Sequence, residues 1–126
     1  MLGTRHRVDV IDLTAWGGRD RAAKVAAAAA TIAHGWDRLP PAELARLSEA
    51  LDDHSRSYLE WIADLHGPAI HDLRGIIAAI RAANTLLRGY DDEAVRARLS
   101  ATLSRSVTRL VDAIDEVGRT VDLVDA

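Results

Sequence analysis

The chain has 126 residues, 48% hydrophobic and 28% charged, which is one soluble globular domain's worth and long enough to bury a core. Its formal net charge is −3 and its 16 basic residues form no block, so nucleic acid is not the expected partner. The absence of cysteine excludes disulfides, thiolate chemistry and cysteine-based metal sites, and no apolar run reaches the length of a membrane span.

Aromatic side chains are scarce, with no Phe, two Tyr and three Trp, so Leu, Ile, Val and Ala must build the core, which suits closely packed helices. Arg5 and Arg7 are followed by Asp9 and Asp12, which is not a secretory pattern; a cytoplasmic protein is expected. Within residues 1–17, Val8, Val10, Ile11 and Leu13 suit a brief strand or an extended arm, and Gly17-Gly18 punctuates the chain. A first helix is expected from about Arg19 to His34, where the run Ala26 to Ala30 follows from alanine's helix propensity alone, with Gly35 as its stop.

Leu39-Pro40-Pro41 closes one element and opens the next, because proline is tolerated at the first helical position. The second helix is expected from about Pro41 to His66, with Leu44, Leu47, Leu51, Tyr58, Ile62 and Leu65 on its apolar face. Gly67-Pro68 is the strongest interior break. A third helix over about 69–88 carries Leu73, Ile76, Ile77, Ile80, Asn84 and Leu87 on one side and stops at Gly89. Asp91, Asp92 and Glu93 suit the positive end of a fourth helix. There Leu99, Leu103, Val107, Leu110, Ile114, Val117, Val121 and Val124 form a coiled-coil-like seam. The three tryptophans, Trp16, Trp36 and Trp61, are expected to pack where the N-terminal helices meet the last two.

The expected fold is therefore all-α. Residues 69–126 form an antiparallel helical hairpin, and residues 1–68 an arm and two helices that pack on or extend it. A hairpin cannot bury both of its apolar stripes alone. Its cover is either a second copy, giving a four-helix bundle across a homodimer, or the first two helices of its own chain. The dimer is the preferred expectation, because the seam of the fourth helix runs beyond what the third can cover.

The chemistry-bearing stretch is His71-Asp72-Leu73-Arg74-Gly75-Ile76-Ile77-Ala78-Ala79-Ile80. At about 100° per residue, His71 projects opposite the apolar stripe, beside Arg74, Gly75, Ala78 and Ala82. These residues resemble the phospho-acceptor box of the sensor histidine kinase family, commonly His-Glu-Leu-Arg-Thr-Pro-Leu followed by small and apolar residues. The likeness continues through the turn Tyr90-Asp91-Asp92-Glu93 and the long helix after it, covering about 69–124. It departs where Ile76 replaces the usual proline, and where Gly75 stands in the place at which members with phosphatase activity often carry Thr or Asn. His71-x-Leu73-Arg74-Gly75 also resembles the His-x-Leu-Lys-Gly of monomeric phosphotransfer domains, whose helix usually breaks sooner than Gly89. Asn84 is the one asparagine and no Asp-x-Gly-x-Gly run exists, so the kinase family's nucleotide-binding boxes are missing.

The resemblance implies a histidine phosphotransfer protein of a phosphorelay without ATP-dependent kinase activity. Its partners would be response-regulator receiver domains and a histidine kinase. His71 would be the phospho-acceptor, with Asp72 orienting the ring or taking its proton; a neutral imidazole can attack through one ring nitrogen. A helix N-terminus at Pro68 would welcome the phosphoryl dianion on His71. Gly75, Ala78 and Ala82 would leave the docking face flat, with Arg74 and Arg81 on its rim to meet acidic receiver residues. The chain itself would bind no cofactor, since Mg2+ would come from the receiver. No metal site is expected either: among His54, His66 and His71 no pair has i, i+4 spacing. Ser55, Ser57, Ser104 and Ser106 lack a constellation for nucleophilic catalysis. Two rival expectations are a non-catalytic kinase-like module that binds a kinase or regulator as scaffold or inhibitor, and a fragment of a larger histidine kinase.

Overall fold

A computed structural model describes the backbone of residues 19–125 and the side chains of residues 19–116. The expected arm, Trp16, and the seam positions Val117, Val121 and Val124 lie outside these described side chains. The described residues form four helices and no strand: α1 Arg19–Gly35, α2 Pro41–Trp61, α3 Pro68–Gly89 and α4 Glu93–Asp125. Each helix packs mainly on two others, α1 on α2 and α4, and α3 on α2 and α4. The first two helices of the chain thus lie against the hairpin of the last two, the second of the two covers the sequence allows.

The alanines of α1 do more than favour a helix. Ala22, Val25, Ala26, Ala29, Ile32 and Ala33 are buried at spacings of three and four. Their small side chains let α1 lie close against both neighbours. In α3 the buried set is Ile70, Leu73, Ile76, Ile77, Ile80, Ala83, Asn84 and Leu87, which contains every position read as its inner stripe. Each fully buried Leu or Ile contributes about 1.5–3 kcal/mol, so this stripe anchors the hairpin. Leu103 and Leu110 of α4 are fully buried, with Leu99, Val107 and Ile114 packed at the margin of the core.

The second helix is shorter than its apolar pattern suggests, ending at Trp61 and not near His66. Its last turn tightens: Ala63 N–H donates to the Glu60 carbonyl at 3.3 Å and Leu65 N–H to the Ile62 carbonyl at 3.0 Å. Periodicity alone could not find this stop, because Ile62 is buried and Leu65 partly buried beyond it. The carbonyls left over at that end are taken by an arginine of α3.

Four polar side chains lock α2 to α3. Asn84, 0% exposed, accepts from Ser48 Oγ at 2.7 Å and donates through Nδ2 to the Ser48 carbonyl and to Asp52 Oδ1, both at 3.1 Å. Arg88 closes the chain of contacts on Asp52 Oδ2 at 2.9 Å. Buried polar groups cost stability unless so satisfied, and a satisfied set fixes the register of the two helices.

Candidate functional site

Gly67 has φ 126° and ψ 165°, a backbone state open essentially to glycine, and it turns the chain into α3 with Pro68 in the first turn. No side chain caps this helix. His71 N–H donates to the Gly67 carbonyl at 2.9 Å, so His71 lies at the edge of the first turn, where the helix dipole is felt. Its side chain is exposed, and no described residue covers it. Asp72 is exposed too, and makes no hydrogen bond or ion pair to His71 or to any other described side chain. Adjacent positions on a helix point about 100° apart, so this carboxylate reaches the imidazole only by a change of rotamer.

Along α3 from His71 the surface is low. Gly75, Ala78 and Ala82 are exposed, and a Cβ added at Gly75 would meet nothing within 4 Å. Leu59 of α2 joins Ala78, Arg81, Ala82, Thr85 and Leu86 in a shallow, mostly apolar groove that continues the same lane. Leu86 is 44% exposed there. The lane of small residues expected beside His71 is therefore open to solvent among the described residues.

The two expected rim arginines have different fates. Arg81 is half-buried beside the groove and forms no ion pair among the described residues. Arg74 is not a free rim cation. Its Nη2 lies 2.8 Å from the Ile62 carbonyl, 3.0 Å from Ala63 and 2.9 Å from Leu65, closing the end of α2. A cation at a helix C-terminus satisfies carbonyls that have no intrahelical donor and complements the dipole. Arg74 therefore ties the turn at residues 62–65 to α3. The one sequence signal for this role is that Arg74 comes about two turns after the Gly67-Pro68 break.

Comparison of the chain with family models, curated proteins and solved structures returned no match. Function therefore rests on the site itself. Among the described residues no group of three His, Asp or Glu side chains is placed to hold a metal ion, and no helix is long and apolar enough to cross a membrane.

Trp36 and Trp61 are partly buried against the core, as expected of packing residues, and each also carries an arginine on its ring. Arg21 lies 5.8 Å from the Trp61 ring centre and Arg96 lies 5.1 Å from that of Trp36. Neither pairing is readable from spacing, since the partners come from different helices or from a helix and a loop.

Proposed function

We propose that this chain is a histidine phosphotransfer protein that exchanges a phosphoryl group between His71 and aspartates of receiver domains. The observation that supports the reading is an uncovered imidazole at the uncapped start of α3, bordered by the low lane of Gly75, Ala78 and Ala82. Phosphoryl transfer asks little covalent chemistry of the protein; it needs an in-line approach and stabilisation of charge. An aspartyl phosphate brought over this lane places phosphorus in line with a ring nitrogen of His71. The N–P bond forms as the acyl-phosphate P–O bond breaks, and the aspartate leaves as carboxylate. The ring then carries one N–H, which Asp72 can hold after rotating toward it. The positive end of α3 favours the phosphoryl dianion, while Mg2+ and the acidic pocket belong to the receiver. Arg81 is the cation left to meet acidic residues on the docking partner.

Homodimerisation belongs to the same proposal. It is supported by the length of α4, 33 residues against 22 in α3, and by the apolar spacing that the sequence continues through Val117, Val121 and Val124. Sedimentation equilibrium tests it separately, and a monomer would remove the dimer while leaving transfer at His71 intact.

The decisive assay mixes the chain with radiolabelled, phosphorylated receiver domains and Mg2+. Label is expected on the wild-type chain, stable to base and lost in acid, and absent from His71→Ala. Label that persists in His71→Ala would overturn the assignment of the acceptor. A second reading, a non-catalytic module that holds a receiver or a kinase, is favoured by the unbonded Asp72. It predicts a stable complex with a receiver and no label.

A further inference from the structure

At the end of the bundle away from His71, the α1–α2 and α3–α4 connections enclose a cleft of about 740 Å³. Small-molecule sites typically occupy about 300–1,000 Å³, with apolar walls and a few convergent polar groups. This cleft has that volume, is open to solvent on one side, and divides its lining about evenly between apolar and polar surface. Trp36, Leu39 and Leu44 of the first connection and helix α2, with Leu87 and Tyr90 of the hairpin, supply an apolar lining. Tyr90 is 48% exposed at its mouth, a large aromatic surface left uncovered.

The polar groups give the ligand's chemistry. The half-buried guanidinium of Arg96 lies over the Trp36 ring at 5.1 Å and lines the cleft. Its Nε is buried without a hydrogen-bond partner, and it forms no ion pair among the described residues. A partly desolvated cation held only by an aromatic face is costly, and an anionic group from a ligand would offset that cost at its terminal nitrogens. Arg88, the other arginine of the cleft, is already committed to Asp52. The start of α2 at Pro41 also borders the cleft and has no side-chain cap, so its positive end adds to the attraction for an anion. Asp37, Asp91 and Glu93 stand exposed on the same lining. Asp37 is paired with Arg38 at 3.9 Å, so Asp91 and Glu93, which form no ion pair among the described residues, are the carboxylates that would repel a multiply charged anion and attract an ammonium.

We infer that this cleft binds a zwitterion with an apolar side chain, an aliphatic or aromatic α-amino acid. Its carboxylate pairs with Arg96, its ammonium faces the acidic rim, and its side chain lies on Trp36, Leu44 and Leu87. The site is independent of the phosphotransfer proposal and lies at the opposite end of α3.

Two-dimensional NMR of the full wild-type chain tests this, with the Trp36 indole N–H identified by Trp36→Phe. Titration with L-leucine and L-phenylalanine is expected to shift that signal, Tyr90 and the amides of residues 39–45 saturably. Phenylalaninamide, which lacks the carboxylate, and N-acetylphenylalanine, which lacks the ammonium, are each expected to bind at least tenfold more weakly. Arg96→Gln is expected to lose at least tenfold for phenylalanine yet change little for its amide, while Arg98→Gln, exposed on the same helix, leaves binding unaltered. No saturable shift with either amino acid would overturn the inference. So would equal binding of all three phenylalanine derivatives, or shifts centred elsewhere. If Arg96→Gln does not fold, the derivative series on the wild-type chain still decides the question.

Discussion

Asn84 offers the sharpest test of how the bundle is held. It is 0% exposed and joins α2 to α3 through three hydrogen bonds, two with Ser48 and one with Asp52. Asn84→Ala removes all three and opens a void. At about 1 kcal/mol for each neutral bond and somewhat more for the one to a carboxylate, the expected loss is about 3 kcal/mol. For a chain of this size that lowers Tm by about 10 °C. Asn84→Leu fills the space, lets the Ser48 hydroxyl turn back to a carbonyl one turn earlier, and leaves Asp52 to Arg88, so its cost is about 1 kcal/mol. The two variants should then differ by about 2 kcal/mol, close to 30-fold in the unfolding constant. Urea unfolding followed by helical circular dichroism measures both, with an unchanged slope showing that the unfolded state is the same. Equal stabilities for the two variants, or a loss below about 1 kcal/mol for Asn84→Ala, would show that the network contributes little.

Other expectations follow from single side chains. Arg74→Met keeps the aliphatic stem but frees three carbonyls at the end of α2; because these are at most part-buried, water replaces the cation and the cost is about 1–2 kcal/mol, with faster hydrogen exchange over residues 62–67. Gly75→Ala should raise stability by about 0.5–1 kcal/mol, since its Cβ enters open space. Gly75→Leu should fold equally well yet slow phosphotransfer at least tenfold by blocking the lane, and an unchanged rate would place docking elsewhere. Burial pushes the Tyr58 phenol up from 10.0 to about 12. The fold therefore favours the protonated ring, a stabilisation that is complete below pH 10.0 and declines as pH rises toward about 12. In Tyr90→Phe, absorbance at the phenolate band should report Tyr58 alone, and ionisation at the ordinary value would contradict its burial.

Much of the fold is written in apolar spacing. Leu73, Ile76, Ile77, Ile80 and Leu87 recur at the helical period and all are buried. The breaks at Gly35, Gly67-Pro68 and Gly89 mark helix boundaries because backbone freedom and a missing amide act locally. The end of α2 was not legible, since Leu65 continues the apolar pattern while the chain has already turned, a turn held from outside by Arg74. Nor was the pairing of Asn84 with Ser48, because serine on a helix carries no sign of which neighbour it will meet. Cover for the hairpin was equally open in the sequence: Ala22, Ala26, Ala29 and Ala33 look like propensity until α1 is seen wedged between α2 and α4. At the candidate site, the exposure of His71 and the openness of Gly75 follow from the same helical period. The commitment of Arg74 to carbonyls is a contact across 9 to 12 residues, reaching back to Leu65, Ala63 and Ile62 through a turn that helical periodicity does not encode.

Phosphorus NMR of the chain mixed with a phosphorylated receiver and Mg2+ reads the proposed chemistry at its bond. Transfer to His71 predicts a phosphoramidate resonance that vanishes on acidification and is missing from His71→Asn. A resonance that survives His71→Asn, or none with any receiver that binds the chain, would contradict phosphotransfer through this imidazole.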